Sequence, residues 1–300
     1  MNELRIVTRP DFDGIVCAVI LSEALKITKP IKWIEPNELQ KNQVKIETFD
    51  IIANLPHHPN CYQWFDHHYS NRIEQPFEGA FDIAPSAAGV VYRYYKDKIN
   101  KDYQDLIRET DRIDSADLTL DEVEHPEKYP YILLSMTISN QKSTDESYWN
   151  LLVELLQNHR IDAVLENKEV KKRCQVVIDQ NQKFKQYLLE NTVVRKHVSI
   201  TDFRSIHPAP TGNRFLVYSL FPEAVVSVKI RLDNQDKEKV IISVGHSIFN
   251  RNCNVNAGLM LSNFEGGGHR GAGACRFHIS KADRYIPQII ETLLKNEDNE

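Results

Sequence analysis

The sequence predicts an α/β protein in two parts: a mostly parallel N-terminal sheet domain and a smaller C-terminal α/β domain, joined by a helical connector. Three observations carry this expectation. Short apolar runs alternate with helical periodicity between Leu4 and Phe65. From Ser86 to about Asn191 the pattern is helical, and after Asn191 strand-like runs return and lead into a dense glycine cluster. The boundaries expected are 1–160, 161–191 and 192–300.

Taken in order, Leu4–Thr8 is a short buried strand. Asp13–Lys26 is a helix, with Ile15, Val16, Val19, Ile20 and Leu25 at helical spacing. Pro30 breaks the chain, and Ile31–Ile34, Val44–Phe49 and Cys61–Phe65 are further strands. Such alternation favours a parallel sheet, whose ligands sit at the carboxyl ends of its strands. Asp11, Asp50 and Asp66 are each expected just past a strand end. Helices are expected from Ser86, over Tyr103–Arg112, over 145–157 and over 162–190; the last is rich in Lys, Glu and Gln and reads as the connector. Met136, Trp149 and neighbouring leucines read as core. Strands follow at Thr192–Ile200, Arg214–Leu220, Val225–Leu232 and Val240–Val244, with a polar turn at Asn234–Lys239. A helix over Val255–Phe264, a strand over Cys275–Ile279 and a helix over Ala282–Lys295 complete the pattern.

Composition bounds the function. A net charge of −5 argues against a broadly basic surface for long duplex nucleic acid. A small anion remains compatible, because a bound metal supplies positive charge locally. The five cysteines are scattered, with no Cys-x-x-Cys pair, which suggests neither a zinc knuckle nor a disulfide framework. No signal peptide and no apolar stretch long enough for a membrane span is evident, so a cytoplasmic protein is expected.

The chemistry concentrates in acidic residues and histidines. Asp66-His67-His68 follows an apolar run, Asp11-Phe12-Asp13-Gly14 follows the first strand, and Asp50, Asp111 and Asp114 stand alone. Oxygen donors suit Mg or Mn, and imidazole is acceptable to Mn. Two such ions about 3.5–4 Å apart activate a water and hold phosphate oxygens in line. Asp50 is the candidate bridge, Asp13, His67 and Asp111 the candidates for one ion, and Asp11 for the other; Asp114 is an open alternative to Asp111.

These four ordered motifs resemble those of the DHH phosphoesterase superfamily, which includes RecJ-type exonucleases, nanoRNases, exopolyphosphatases and family II pyrophosphatases. The resemblance implies Asp11, Asp13, Asp50, His67 and Asp111 as ligands of Mn or Mg. It also implies Asp66 as the residue orienting His67 and His68 as the group at the scissile phosphate or leaving oxygen. Many members carry a histidine where this chain has Val7. That departure implies one tight ion and a weaker second.

Gly266-Gly267-Gly268-His269-Arg270-Gly271-Ala272-Gly273 holds five of the eleven glycines. Such a run can form an anion-binding nest, with His269 and Arg270 adding cations. It resembles the Gly-Gly-Gly-His motif of the DHH-associated C-terminal domain. That implies a second domain holding the nucleotide or phosphate end of the substrate across a cleft from the metals. Where oligonucleotide-cleaving members commonly carry Arg-Ser, this chain has His246-Ser247, and Arg251 can supply the missing charge.

The expected function is therefore Mn- or Mg-dependent hydrolysis of short oligonucleotides or linear dinucleotides. The alternative is an exopolyphosphatase-like activity, with Lys229, Arg231, Arg251, Arg270 and Arg276 as an anion track. A nucleotide-binding sensor without turnover is a third reading, and a homodimer is compatible with the fold.

Overall fold

The computed structural model describes residues 3–138 and 145–300, and divides into two compact units. One comprises residues 1–117 and 126–175; the other comprises 118–125 and 176–300.

The first unit is built on five parallel strands, β1 (Arg5–Thr8), β2 (Lys32–Trp33), β3 (Asp50–Ala53), β4 (Gln63–Asp66) and β5 (Gly79–Phe81), in the order β2-β1-β3-β4-β5. Helix α1 (Phe12–Leu25) follows β1 and is buried along most of its length, while the short α2 (Pro36–Gln40) follows β2. Helices α3 (Ala87–Tyr95) and α4 (Gln104–Asp114) come after β5. The chain leaves β1 for β2 on one side and returns to β3 on the other. The carboxyl ends of β1 and β3 are thus the switch point where open parallel sheets place ligands.

Val44–Phe49, expected as a strand, is not one; the strand begins at Asp50. Tyr62 N–H donates to the Asp50 carbonyl and Arg5 aligns with Asp50 across β1 and β3. The apolar run Ile51-Ile52-Ala53, fully buried, is what the sheet takes in. Asp50 therefore opens β3 rather than following a strand.

Helix α5 (Leu120–Glu124) belongs to the second unit, and α6 (Pro130–Met136), α7 (Glu146–Asn158) and α8 (Ile161–Glu166) to the first. The unit boundary falls inside α9 (Lys168–Asn191), so the expected connector is divided between the two units.

The second unit carries a six-stranded mixed sheet of β6 (Thr192–Arg195), β7 (Val198–Asp202), β8 (Val226–Leu232), β9 (Lys239–His246), β10 (Gly266–His269) and β11 (Ala272–His278), ordered β10-β11-β9-β8-β7-β6. Among the described strands of this sheet only β7 and β8 run parallel. Arg214–Leu220, expected as a strand, contains helix α10 (Leu216–Leu220) instead. Leu216, Val217 and Tyr218 are all buried, and a helical turn puts all three against Phe184 and Phe203, which alternation would not. Helix α11 (Ala257–Ser262) lies against β10, and α12 (Ala282–Lys295) buries Ile286, Ile289, Ile290 and Leu293 in the sheet's core.

Candidate metal centre at the sheet switch point

Asp11 and Asp13 are placed by the turn from β1 into α1. Asp11 caps the helix, its Oδ1 accepting the Gly14 N–H at 2.8 Å. The turn is too tight for a side chain at position 14, where a Cβ would lie 2.0 Å from the Arg9 carbonyl oxygen. Asp13 is buried, and its carboxylate accepts the Ala87 and Ala88 N–H groups at 2.9 and 2.8 Å. These are the first amides of α3, which have no partner within the helix, so the helix terminus holds the carboxylate. Ser86 caps α3, and Asp111 Oδ1 accepts the Ser86 hydroxyl at 2.5 Å.

His67 and His68 follow β4. His67 Nδ1 lies 2.9 Å from the Ala84 carbonyl oxygen. A carbonyl only accepts, so Nδ1 carries a proton and Nε2 is the nitrogen left to face a ligand. That atom is buried without a hydrogen-bond partner and faces Asp114 Oδ2 at 3.3 Å and Asp13 Oδ2 at 3.8 Å. Asp13, His67 and Asp114 each bring one donor atom into a space less than 4.8 Å across. Positive charge is needed among these three groups, and a divalent ion would supply it. Two carboxylate oxygens and one imidazole nitrogen fit a divalent ion such as Mn. Burial, then the charges of Asp114 and Asp11, push the Asp13 carboxyl well above its ordinary value; the Ala88 and Ala87 amides oppose them. A bound cation would reverse that shift.

Asp66 is fully buried and acts differently from the expectation. It accepts the backbone N–H of His67, but its contact with a ring is to His68, whose Nδ1 is 2.8 Å from Asp66 Oδ1. Asn71 donates to Asp66 Oδ2 at 2.6 Å. The Asp66 hydrogen bond raises the His68 pKa against the opposing effect of burial. The imidazole oriented by Asp66 is therefore that of His68, and the Ala84 carbonyl orients His67.

Two further placements correct the expected ligand set. Asp50 lies at the opposite end of β3, where Arg5 Nε and Nη2 each donate to its carboxylate at 2.7 Å and Glu47 N–H adds a third bond at 2.8 Å. The side chain that β3 delivers to the switch point is Asn54, whose Nδ2 donates to Asp11 Oδ1 at 2.9 Å. Of the pair on α4, Asp114 faces His67 while Asp111 holds Ser86. Asn54 and Ala84 carry no motif in the sequence, and Ser86 is expected there only as the start of a helix. The signal for Asn54 was the apolar triplet before it, which marks where a strand ends.

In the second unit the glycine run is not a loop. Gly266–His269 is the edge strand β10, paired antiparallel to β11 with Gly268 opposite Gly273. Its glycines permit close approach: Gly268 has φ +150°, and a Cβ at Gly258 of α11 would lie 2.3 Å from the Gly268 oxygen. Only Gly267 looks onto open space. His269 is exposed. Arg270 pairs with Glu300 at 2.6 Å and donates to the Asn254 carbonyl at 3.1 Å. His246 Nε2 lies 2.9 Å from the Val255 carbonyl oxygen, with its pKa lowered mainly by burial. Arg251 is exposed and donates to the Ile248 carbonyl. His246 N–H and the Gly271 carbonyl join the end of β9 to the hairpin turn at 2.8 Å.

No protein-family model matches this chain, and no curated protein matches its sequence. Among solved structures it is similar to the pGpG-specific phosphodiesterase PggH from Vibrio cholerae, with 30% identity, a TM-score of 0.86, and coverage of 98% of this chain and 100% of that one. It shares its fold with RecJ in complex with Mn2+ from Thermus thermophilus (TM-score 0.58, 12% identity, 99% of this chain and 52% of that one). An exopolyphosphatase-related protein from Bacteroides fragilis is also similar in fold (TM-score 0.54, 13% identity, 97% and 92% covered). No described helix is long and apolar enough to cross a membrane. Identity of this degree over the whole length of a phosphodiesterase, in a chain that carries the Asp-Phe-Asp, Asp-His-His and Gly-Gly-Gly-His motifs in order, shows that it belongs to the DHH phosphoesterase superfamily and is a phosphohydrolase.

Proposed function

We propose that the chain is a divalent-metal-dependent phosphodiesterase that hydrolyses short linear oligonucleotides, with the 5′-phosphorylated dinucleotide pGpG as the substrate of first choice. The observation that carries this reading is the buried, unpartnered His67 Nε2 facing Asp13 and Asp114. Those three residues would hold the ion. A divalent ion bound there supplies Lewis-acid polarisation of the phosphoryl oxygens and activation of water.

The remaining chemistry belongs to the chain. His68 carries a proton on Nδ1, shared with Asp66, and in its imidazolium form a second on the half-exposed side of the ring. As water attacks phosphorus and the bond to the leaving nucleoside oxygen breaks, that oxygen needs a proton, and His68 is the group to give it. Asp66, held by Asn71 and two backbone amides, fixes the ring and stabilises its charge. Asp111 acts through Ser86 and the α3 terminus to keep Asp13 in place.

The dinucleotide choice follows the similarity to PggH. The second unit also argues against a polyphosphate track. Of the cations expected to form one, Arg270 and Arg276 are paired with Glu300 and Asp233, and burial lowers the Lys229 pKa.

The test is conversion of pGpG to GMP in the presence of Mn, followed by anion-exchange chromatography, for the wild type and for His67→Ala and Asp13→Asn. The expected result is turnover by the wild type and loss of roughly 10³-fold or more in each variant. Phosphate release from polyphosphate with no cleavage of pGpG or longer oligonucleotides would overturn the reading.

A further inference from the structure

We infer that Arg9 is a built-in cation occupying the place of a second metal ion, so that this site works with one divalent ion and one guanidinium. The inference rests on the phosphodiesterase reading for its substrate and on the switch-point geometry for its placement.

Arg9 directly follows β1, and its Nε lies 3.2 Å from Asp11 Oδ2 and 3.5 Å from Glu35 Oε2. Arg9 Nε and Glu35 Oε1 are buried without hydrogen-bond partners. The guanidinium is thus held by two carboxylates without using up its five N–H donors. Asp11 is engaged at both oxygens. Its Oδ1 accepts from Gly14 N–H and Asn54 Nδ2, at 2.8 and 2.9 Å, and its Oδ2 faces Arg9.

Position 54 is the side chain that β3 brings to Asp11, and it carries an amide where a second ion would need a carboxylate. Asn54 is 2% exposed, and its Oδ1 is buried with no hydrogen-bond partner. Val7, where many members of the family carry a histidine, is fully buried in the apolar core with Ile34, Ile52 and Trp64. The carboxylates then fall into two groups, Asp13 and Asp114 beside His67 and Asp11 and Glu35 beside Arg9. Asp13, Asp114 and His67 suit one divalent ion, and Arg9 supplies the positive charge beside Asp11. A second divalent ion beside Asp11 would meet a guanidinium, an amide and one engaged carboxylate.

A guanidinium performs the second cation's electrostatic work without being lost to chelation or to a change of pH. It stays charged at any physiological pH, and its planar fork matches two oxygens of a phosphate. Arg9 is therefore assigned to the scissile phosphate, opposite the ion held by Asp13, His67 and Asp114.

The experiment counts Mn by electron paramagnetic resonance of the free ion and measures pGpG turnover in the wild type, Arg9→Gln, Arg9→Lys and the double variant Arg9→Gln/Asn54→Asp, with thermal melting to confirm folding. The expected wild-type result is one Mn per chain. Arg9→Gln should keep that ion within a few-fold of its affinity while kcat falls roughly 10²–10³-fold, as for loss of one preorganised donor. Arg9→Lys should recover part of the rate, and the double variant should gain a second Mn. Two ions of equal affinity in the wild type, or full turnover by a folded Arg9→Gln, would overturn the inference. Should the wild type bind Mn but cleave no phosphodiester, the substrate reading fails, while one ion in the wild type and two in the double variant would still uphold the cation assignment.

Discussion

Replacing Asp50 by asparagine separates a ligand from a structural ion pair. Asp50 is 1% exposed and receives two hydrogen bonds of 2.7 Å from Arg5 and one of 2.8 Å from Glu47 N–H. Asparagine keeps the shape but loses the charge and one acceptor, leaving Arg5 facing an amide NH2. Removing a partner from a fully buried pair costs about 3–5 kcal/mol. Arg5 is 26% exposed, so water partly re-solvates the guanidinium, and about 2–3 kcal/mol is the better figure. For a unit of this size that lowers Tm by roughly 4–12 °C. Calorimetry gives the melting shift, and Mn binding with pGpG turnover per folded molecule gives the function. The expected result is a lower Tm with kcat and Mn affinity within about threefold of wild type, because the pair lies at the end of β3 away from Asp13. An Asp50→Asn protein that melts like the wild type but no longer binds Mn would refute this and return Asp50 to the metal site.

Three further outcomes are expected. Because the Asp66 hydrogen bond raises the His68 pKa, the alkaline limb of turnover that needs protonated His68 should fall as pH rises through that elevated value, while loss of the ion from its protonated ligands sets the acid limb. The stability linked to His68 follows the same sign, present below its unfolded pKa and lost above the folded one. Asp66→Asn should shift the alkaline limb of a kcat profile to lower pH, and an unmoved limb would exclude His68 as the titrating group. Mn at about 100 times its Kd should stabilise the folded protein by about 2.7 kcal/mol, and both chelation and His67→Ala should abolish the melting increment. In the second unit, Gly268→Ala should cost about 1–3 kcal/mol, since its Cβ would lie 2.3 Å from the Ala272 oxygen at φ +150°. Gly267→Ala, opening onto free space, should leave Tm unchanged in the same denaturation series.

Much of the architecture was legible because periodicity survives folding where a segment buries one face. The Asp13–Lys26 and Ala282–Lys295 patterns correspond to α1 and α12 within a residue or so at either end. The parallel N-terminal sheet followed from strand and helix alternation, and the switch in pattern after Asn191 marks the second sheet. Short apolar runs were the weak point. Phe215–Leu220 packs a helical turn against Phe184 and Phe203, and nothing local distinguishes such a run from a strand. The glycine run misled in the other direction. Glycine density suggested an anion-binding nest, whereas pairing with β11 and the close approach of α11 are tertiary facts that no window of sequence contains.

The site was legible in its residue types more than in its geometry. Asp13 and His67 were read correctly as neighbours of a strand end, because each follows an apolar run that the sheet absorbs. Asp50 shows how that inference fails. The register Arg5 opposite Asp50 and Thr8 opposite Ala53 means that the residue after Thr8 and the residue after Ala53 share one end of the sheet, while Asp50 shares the other with Arg5. Each strand here rises only about 3.3 Å per residue, so a four-residue slip in assigning a strand end moves a candidate ligand by about 13 Å, wholly out of a metal's reach. An isolated aspartate next to an apolar triplet is equally compatible with either end; the opposite charge of Arg5 at the aligned position is what decides it. The same register explains why Arg9 and Asn54 belong together. Each lies just past the end of one of two paired strands and meets Asp11, so a cation and an amide arrive together at that carboxylate.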